Sequence, residues 1–273
     1  MRVLRALAVV LILVWSLFPV YWVFVTSFKR SEEVITRPPT WVPRHPVLDN
    51  YVDLFTKVGF HVYLANSLVV SLGATLLSIA VGGVASYALA RLKVSPLLSR
   101  LFLLWTLVVR MFPPIVLVIP VFVLFRDLGL VNTRAGLILA YQIYTLPYVI
   151  WLLLGFFREI PAELEEAALV DGAGRLRVFV EISLPLVAPG LVATSILSML
   201  QAWNEFLYAL IFVYSQEKKT ITLAIAGFIT EFEIQWGLLA AGGLVSSLPI
   251  LALSVYIQRF LMRGLGLGRG VKA

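Results

Sequence analysis

The stretch PAELEEAALVDGAG, residues 161–174, holds four carboxylates, Glu163, Glu165, Glu166 and Asp171, and no basic side chain. It stands in a 273-residue chain that is 60% hydrophobic and carries a formal net charge of +7. Pro161 at a first helical position, acids in the opening turn, and Gly172 and Gly174 past the end are start and stop signals. They predict a helix of about three turns. Helix physics alone reads it as an amphipathic linker. Its surroundings decide what it links.

On both sides the sequence turns apolar. Residues 7–28, 62–90, 101–125, 135–157, 186–213 and 238–261 each form a run long enough for a helix across a hydrocarbon core of about 30 Å. In lipid only helices and closed barrels satisfy the backbone, and runs of this length exclude barrel strands. The expected fold is all-α: a polytopic membrane protein of six transmembrane helices, with the acidic helix in the loop 158–185. A charged fraction of 14% and a mean hydropathy of +0.95 exclude an ordinary soluble domain. Arg2 and Arg5 before the first run imitate a signal peptide. That run is too long and lacks a small-residue cleavage site, so it reads as a retained span.

Other classes fall away on composition. The chain has no cysteine, hence no disulfide framework and no thiolate metal site. His45 and His61 are too few to form a metal site of their own. The basic residues are scattered between apolar runs, which fits a topology signal rather than a nucleic-acid stripe. Arg91, Lys93 and Arg100 share a short loop without an acid, and the tail carries Arg259, Arg263, Arg269 and Lys272. The positive-inside rule puts both, with the N-terminus, in the cytoplasm, although the five Lys/Arg of 29–61 pull the other way. The acidic helix is then cytoplasmic.

Polar residues inside spans are costly and mark a pathway or a buried network. Gln201, Asn204, Glu205 and Tyr208 share a face of the fifth run; Tyr141, Tyr144, Thr145 and Tyr148 share one of the fourth, beside Pro147. Rings with hydroxyl and amide neighbours suit a sugar; helix–helix hydrogen bonding explains the same residues equally well. Arg110, before Pro113-Pro114, either snorkels along the proline kink, the favoured reading, or pairs with Glu205. Ala74, Ser78, Gly82, Ser86 and Ala90 form a small-residue seam, read as packing within the chain, and Gly242 and Gly243 precede Ser246 and Ser247 by the same step. The segment 215–236 mixes charged ends with an apolar centre, 223–229, too short to span a bilayer.

The acidic helix also belongs to a longer pattern. Glu166-Ala167-Ala168, Gly172, Ile182 and Leu184-Pro185 give E-A-A-x3-G-x9-I-x-L-P. At every fixed position this resembles the cytoplasmic-loop signature of ATP-binding-cassette importer permeases. NSLVVS from Asn66, SYALARL from Ser86, WNEFLYAL from Trp203 and the closing GLGLGRGVKA add weaker support. Together they resemble the sugar-importer branch, and within it the shorter permease of maltose-system type.

The resemblance implies a single permease domain over 1–273 in the cytoplasmic (inner) membrane, paired with a second permease subunit. Two ATPase subunits would bind ATP and Mg, leaving this chain no cofactor and no enzymatic activity of its own. It implies that 162–171 is a coupling helix docking in an ATPase cleft. Glu165 or Glu166 would bond a basic residue there, Ala167 and Ala168 would keep the helix thin, Asp171 would close it and Gly172 would let the chain turn back. It further implies that the external segment, through Leu223, Ala224, Gly227 and Thr230, touches an extracytoplasmic solute-binding protein; simple packing of 223–229 against neighbouring helices is the competing reading.

Alternatives remain on the same residues. Permeases for amino acids, peptides or a polyol phosphate share the loop motif. A secondary transporter would need ion-coupling acids, and Glu205 stands alone inside the runs. An intramembrane hydrolase would need paired carboxylates or a Ser-His arrangement. No G-x-x-x-x-G-K-[ST] loop is present, and GLGLGRG (264–270) lacks the flanking strand and helix of a dinucleotide fingerprint.

Overall fold

The computed structural model describes the backbone of residues 2–92 and 94–264, and the side chains of these up to residue 255. The tail from 265 onward, with Arg269, Lys272 and most of GLGLGRGVKA, lies outside the described residues, as do the side chains of Lys93, Arg259 and Arg263. In chain order the helices are α1 (Arg2–Ser27), α2 (Asp49–Thr56), α3 (Phe60–Arg91), α4 (Pro96–Met111), α5 (Pro114–Asp127) and α6 (Arg134–Ala140). They continue with α7 (Gln142–Glu159), α8 (Ala162–Val170), α9 (Ala188–Trp203), α10 (Leu207–Phe212), α11 (Ile221–Ala226) and α12 (Trp236–Gly264). Shorter helical turns include Ser31–Val34 and the run Arg175–Leu186, which contains a π-helical turn at Phe179–Ser183. Among the described residues there is no β-strand, only a bridge between Ile229 and Ile234.

The helices α1, α3 and α12 are each long and apolar enough to cross a membrane unaided. The expected third, fourth and fifth spans are not straight. The α4/α5 pair bends by 102°, α6/α7 by 46°, and Arg175–Leu186 against α9 by 77°. Counted as one span each, the bent pairs bring the total to six.

Each bend has a local cause. Phe112 precedes a proline and adopts an extended backbone (ψ 135°), as does Pro113 (ψ 132°), so helix restarts only at Pro114. Near α6/α7 the Thr145 hydroxyl takes the Tyr141 carbonyl at 2.8 Å, and Pro147 offers no N–H. Before α9, Pro189 withholds a hydrogen bond and Val187 leaves helical geometry (ψ 6°). The fifth run breaks again at Asn204–Phe206, beyond which α10 is a separate short helix.

Contacts divide the chain into two compact units: residues up to 65 with 219–250, and 66–218 with the chain from 251. In the first unit Leu54, Phe60, Phe228 and Ala241 are buried, and a Cβ on Gly242 would stand 3.2 Å from Phe228. Asn50 donates to the carbonyls of Ser27 (2.8 Å) and Lys29 (3.0 Å). A Cβ at Gly237 would stand 2.3 Å from the Asn50 Oδ1, so the opening turn of α12 needs glycine.

In the second unit the small-residue seam of α3 packs on α7. Ser78 Oγ donates to Gln142 Oε1 at 2.6 Å and lies 2.6 Å from Thr145 Oγ1. Gln142 donates to the Ala74 carbonyl at 3.1 Å, and Ser86 Oγ reaches the Ile150 carbonyl at 3.0 Å. A Cβ on Gly82 would sit 2.8 Å from Val149 Cγ1. Small residues let the backbones approach, and hydroxyls then bond across. The seam is intrachain, as its pattern suggested.

Candidate functional site

Helix α8 stands on a small aromatic core in the second unit. Tyr87, Phe157 and Phe179 pack with ring centroids 4.7–6.2 Å apart, over Val149, Leu153, Ile160 and Val187. Pro161 is extended (ψ 128°) and precedes the helix, which begins one residue later than its sequence signal implied. The helix ends at Val170. Asp171 donates to the Ala167 carbonyl, Ala173 to Ala168, and Gly172 turns left-handed at φ +87°. That glycine ends the helix because a side chain there would be strained, although nothing lies within 4 Å to clash with one.

The two neighbouring glutamates part company here. Glu165 is buried at 5% exposure and faces inward, so it is not the carboxylate that can reach a partner's surface. Arg91, the last residue of α3, donates from Nε to its Oε1 at 2.9 Å and from a terminal nitrogen to the Ile160 carbonyl. Ser183 Oγ donates to the same Oε1 at 3.0 Å, and the Tyr87 hydroxyl to Oε2 at 3.3 Å. Helix polarity favours both charges, a cation at the end of α3 and an anion in the first turn of α8. Glu166 is exposed. With Glu163, Ala167 and Val170 it makes the outward face, flanked by exposed Leu164 and Leu169, while Ala168 is half-buried and Asp171 exposed.

Sequence reasoning missed the residues that hold Glu165. Arg91 counts there as a topology signal and, with Tyr87, as part of SYALARL, and neither these two nor Ser183 is assigned a contact. An arginine closing an apolar run in SYALARL, beside a loop rich in acids, was the available clue.

A second feature of the same unit is a cavity of about 340 Å³. Arg110, Tyr144, Gln201, Glu205 and Tyr208 line it together with Val109, Phe112, Pro114, Leu117 and Ile143. The two kinks open it: the α4/α5 bend supplies Arg110 to Leu117, and the break after α9 supplies Glu205. The Glu205 carboxylate accepts the N–H groups of Tyr208 (2.9 Å) and Ala209 (3.2 Å), restarting the helix as α10. Arg110 is exposed at the kink. Its guanidinium lies over the Tyr148 ring, 5.0 Å from the centroid, a cation–π contact. The Tyr144 hydroxyl and Gln201 Oε1 are buried without a hydrogen-bond partner in the chain.

Not every expected pathway residue reaches the cavity. Tyr141 is buried behind Tyr144, ring centroids 5.6 Å apart. Thr145 is fully buried against α3, within the Ser78 network, because a threonine one turn after Tyr141 falls on the seam face. Asn204 is exposed and bonds the Leu200 carbonyl at 2.8 Å, capping α9.

In the first unit, α11 turns its apolar side inward. Leu223 and Ala224 are buried, so neither is available at the surface, while Gly227 and Thr230 are exposed. The chain then forms a tight turn. Thr230 N–H donates to the Glu233 carbonyl at 3.0 Å and Gln235 N–H to that of Phe228 at 3.0 Å. At its tip Phe232 is 96% exposed. Phe232 is the most exposed apolar side chain of this segment and lies outside the apolar centre expected from the sequence, of which only Ile229, among the large apolar side chains, stays exposed.

Residues 78–266 match the family described as the binding-protein-dependent transport system inner membrane component. The sulfoquinovosyl glycerol transport system permease protein SmoH of Agrobacterium fabrum is 37% identical over 265 residues, 97% of this chain and 92% of its own. The diacetylchitobiose uptake system permease protein DasC of Streptomyces coelicolor is 35% identical over 267 residues, 98% and 96%. A chain of a bacterial ABC transporter involved in import of the acidic polysaccharide alginate shares the fold. Its TM-score is 0.78 at 21% identity, over 94% of this chain and 95% of that one.

Proposed function

The chain belongs to the binding-protein-dependent transport system inner membrane components, and from that membership we propose that it is one of two permease subunits of an ATP-driven saccharide importer. Its relatives SmoH and DasC are named for sulfoquinovosyl glycerol and diacetylchitobiose, which supports a saccharide or saccharide derivative as cargo. The observation that carries the reading is α8: an exposed acid-and-apolar face on a helix whose seat is fixed from inside. Exposed apolar side chains flanked by charge mark contact sites. Glu166 makes a charge-assisted hydrogen bond to a basic residue of an ATPase subunit, and Leu164, Ala167 and Val170 fill the cleft. ATP and Mg are held by two such subunits, and this chain performs no hydrolysis.

The cavity between the kinked helices is the cargo's path through this subunit. Tyr144 and Gln201 offer it unpaired polar atoms, and the ring of Tyr208 offers an apolar face. The turn carrying Phe232, with Thr230 and Gly227, meets the solute-binding protein outside the membrane. Both chain termini and α8 lie in the cytoplasm.

Co-purification tests the central claim. With its co-encoded partners, the wild-type chain brings down an ATPase; Glu166→Lys loses that subunit while still inserting in the membrane. Retention of the ATPase by Glu166→Lys at the wild-type level would remove the docking role. Phe232→Ala lowers the ratio of binding-protein-stimulated to basal ATP hydrolysis, and an unchanged ratio would take the turn out of that interface. Cysteines placed at Ser95 and Ser215 label from opposite sides; labelling from one side refutes the orientation.

A further inference from the structure

The ion pair at Glu165 ends one of two polar attachments on a single helix. At the other end of α3, Asn66 is fully buried; Arg134 Nε donates to its Oδ1 at 2.9 Å, and its Nδ2 donates to the Glu217 carbonyl at 2.8 Å. Arg134 opens α6, and Glu217 lies in the connection after α10. From Asn66 to Arg91 the helix runs about 38 Å at 1.5 Å per residue, comparable with a bilayer core. Nothing interrupts it. Helix α3 has no proline, whereas α6/α7 and the run into α9, the other helices joined to the α8 loop, are bent by 46° and 77°. A bent helix absorbs displacement at its hinge; a straight one passes it on.

We propose that α3 is a push-rod. Arg91 and Glu165 are positioning residues that tie its cytoplasmic end to α8, and Asn66 ties its outer end to the loops around Arg134 and Glu217. Movement of α8 is handed to those loops without passing through the kinked helices. The inference rests on α8 being the coupling helix. The Arg91 fork suits the role, because it holds the Ile160 carbonyl before the helix and the Glu165 carboxylate within it, which fixes α8 in angle as well as distance. Ser183 and Tyr87 complete the carboxylate's hydrogen bonds, so it has no reason to leave when α8 moves.

The test is made on the complete transporter, purified with its co-encoded subunits and reconstituted in vesicles, reading cargo moved per ATP hydrolysed. Glu165→Gln and Asn66→Ala each lower that ratio about tenfold. If both ends belong to one rod, the double variant is about as impaired as either single one, whereas independent sites this far apart would multiply to about a hundredfold. Multiplied losses, or single variants that couple like wild type, overturn the proposal.

Should the variants fail to accumulate, spin labels at Leu92 and Asp171 in the otherwise native chain decide it. Their separation holds within about 2 Å between nucleotide-free and ATP-bound states; a change beyond about 5 Å means the end of α3 and α8 move apart, and no rod exists. A wild-type complex that carries no ATPase refutes the functional reading itself, which is a different failure from a normal importer indifferent to Glu165.

Discussion

Two regions of the second unit each combine a glutamate and an arginine, and they are built in opposite ways. Under α8 the carboxylate of Glu165 is closed in: Arg91, Ser183 and Tyr87 meet both its oxygens, and it is buried. At the kinks Glu205 restarts a broken helix, Arg110 lies over Tyr148, and between them is a cavity with unpartnered polar atoms. A saturated network fixes geometry and offers nothing to a ligand. An unsaturated one leaves hydrogen-bonding capacity for whatever enters. Both carboxylates are held by hydrogen bonds; what tells the two regions apart is that only the second places partnerless polar atoms, the Tyr144 hydroxyl and Gln201 Oε1, beside a cavity.

Substitutions can break that contrast. The largest effect is expected at Arg91→Ala, which leaves the Glu165 carboxylate buried without its cation, at a cost of about 3–5 kcal/mol. A strongly lowered midpoint of thermal unfolding in detergent is the readout. Arg91→Met with Glu165→Leu should recover part of that stability, since the apolar pair leaves no unpaired charge while the Tyr87 hydroxyl and the Ile160 carbonyl lose their partner. Equal stability of Arg91→Ala and wild type would mean the pair is not closed.

A smaller loss, about 1–2 kcal/mol, is expected for Gly172→Val, because φ +87° strains a branched side chain even in open space. Gly172→Asn, which tolerates left-handed geometry, should keep ATPase association, measured by co-purification. If both substitutions behave alike, the backbone argument fails. Smallest in stability is Tyr144→Phe, expected within about 0.5 kcal/mol of wild type because its hydroxyl has no partner to lose. Uptake by the reconstituted transporter should nevertheless fall several-fold. Unchanged uptake would make the cavity hydroxyl as inert toward cargo as it is toward the chain.

The sequence carried the helical class, the run lengths and the α8 signature because each depends on neighbours in the chain: hydropathy over some twenty residues, a proline and a glycine at a helix's ends, a fixed motif spacing. It also carried the seam of α3, since a four-residue repeat of small side chains marks close helix approach, within the chain or to another subunit. The kinks were half legible. Pro113, Pro114, Pro147 and Pro189 announced irregularity, but the angle depends on which neighbour takes up the released carbonyl.

What no local rule could supply was which of two adjacent acids turns inward. Glu165 and Glu166 are the same residue type one position apart, and helix geometry puts them on different faces by about 100°. Only the arrival of Arg91, Tyr87 and Ser183 from distant parts of the chain makes one face the inside. The same holds for Thr145, absorbed by Ser78, and for Leu223 and Ala224, drawn inward with α11. Composition and period determined that these residues form helices in a membrane. Tertiary structure decided which of their polar atoms were already spoken for, because a hydrogen bond is satisfied by whatever stands about 3 Å away, however far along the chain it began.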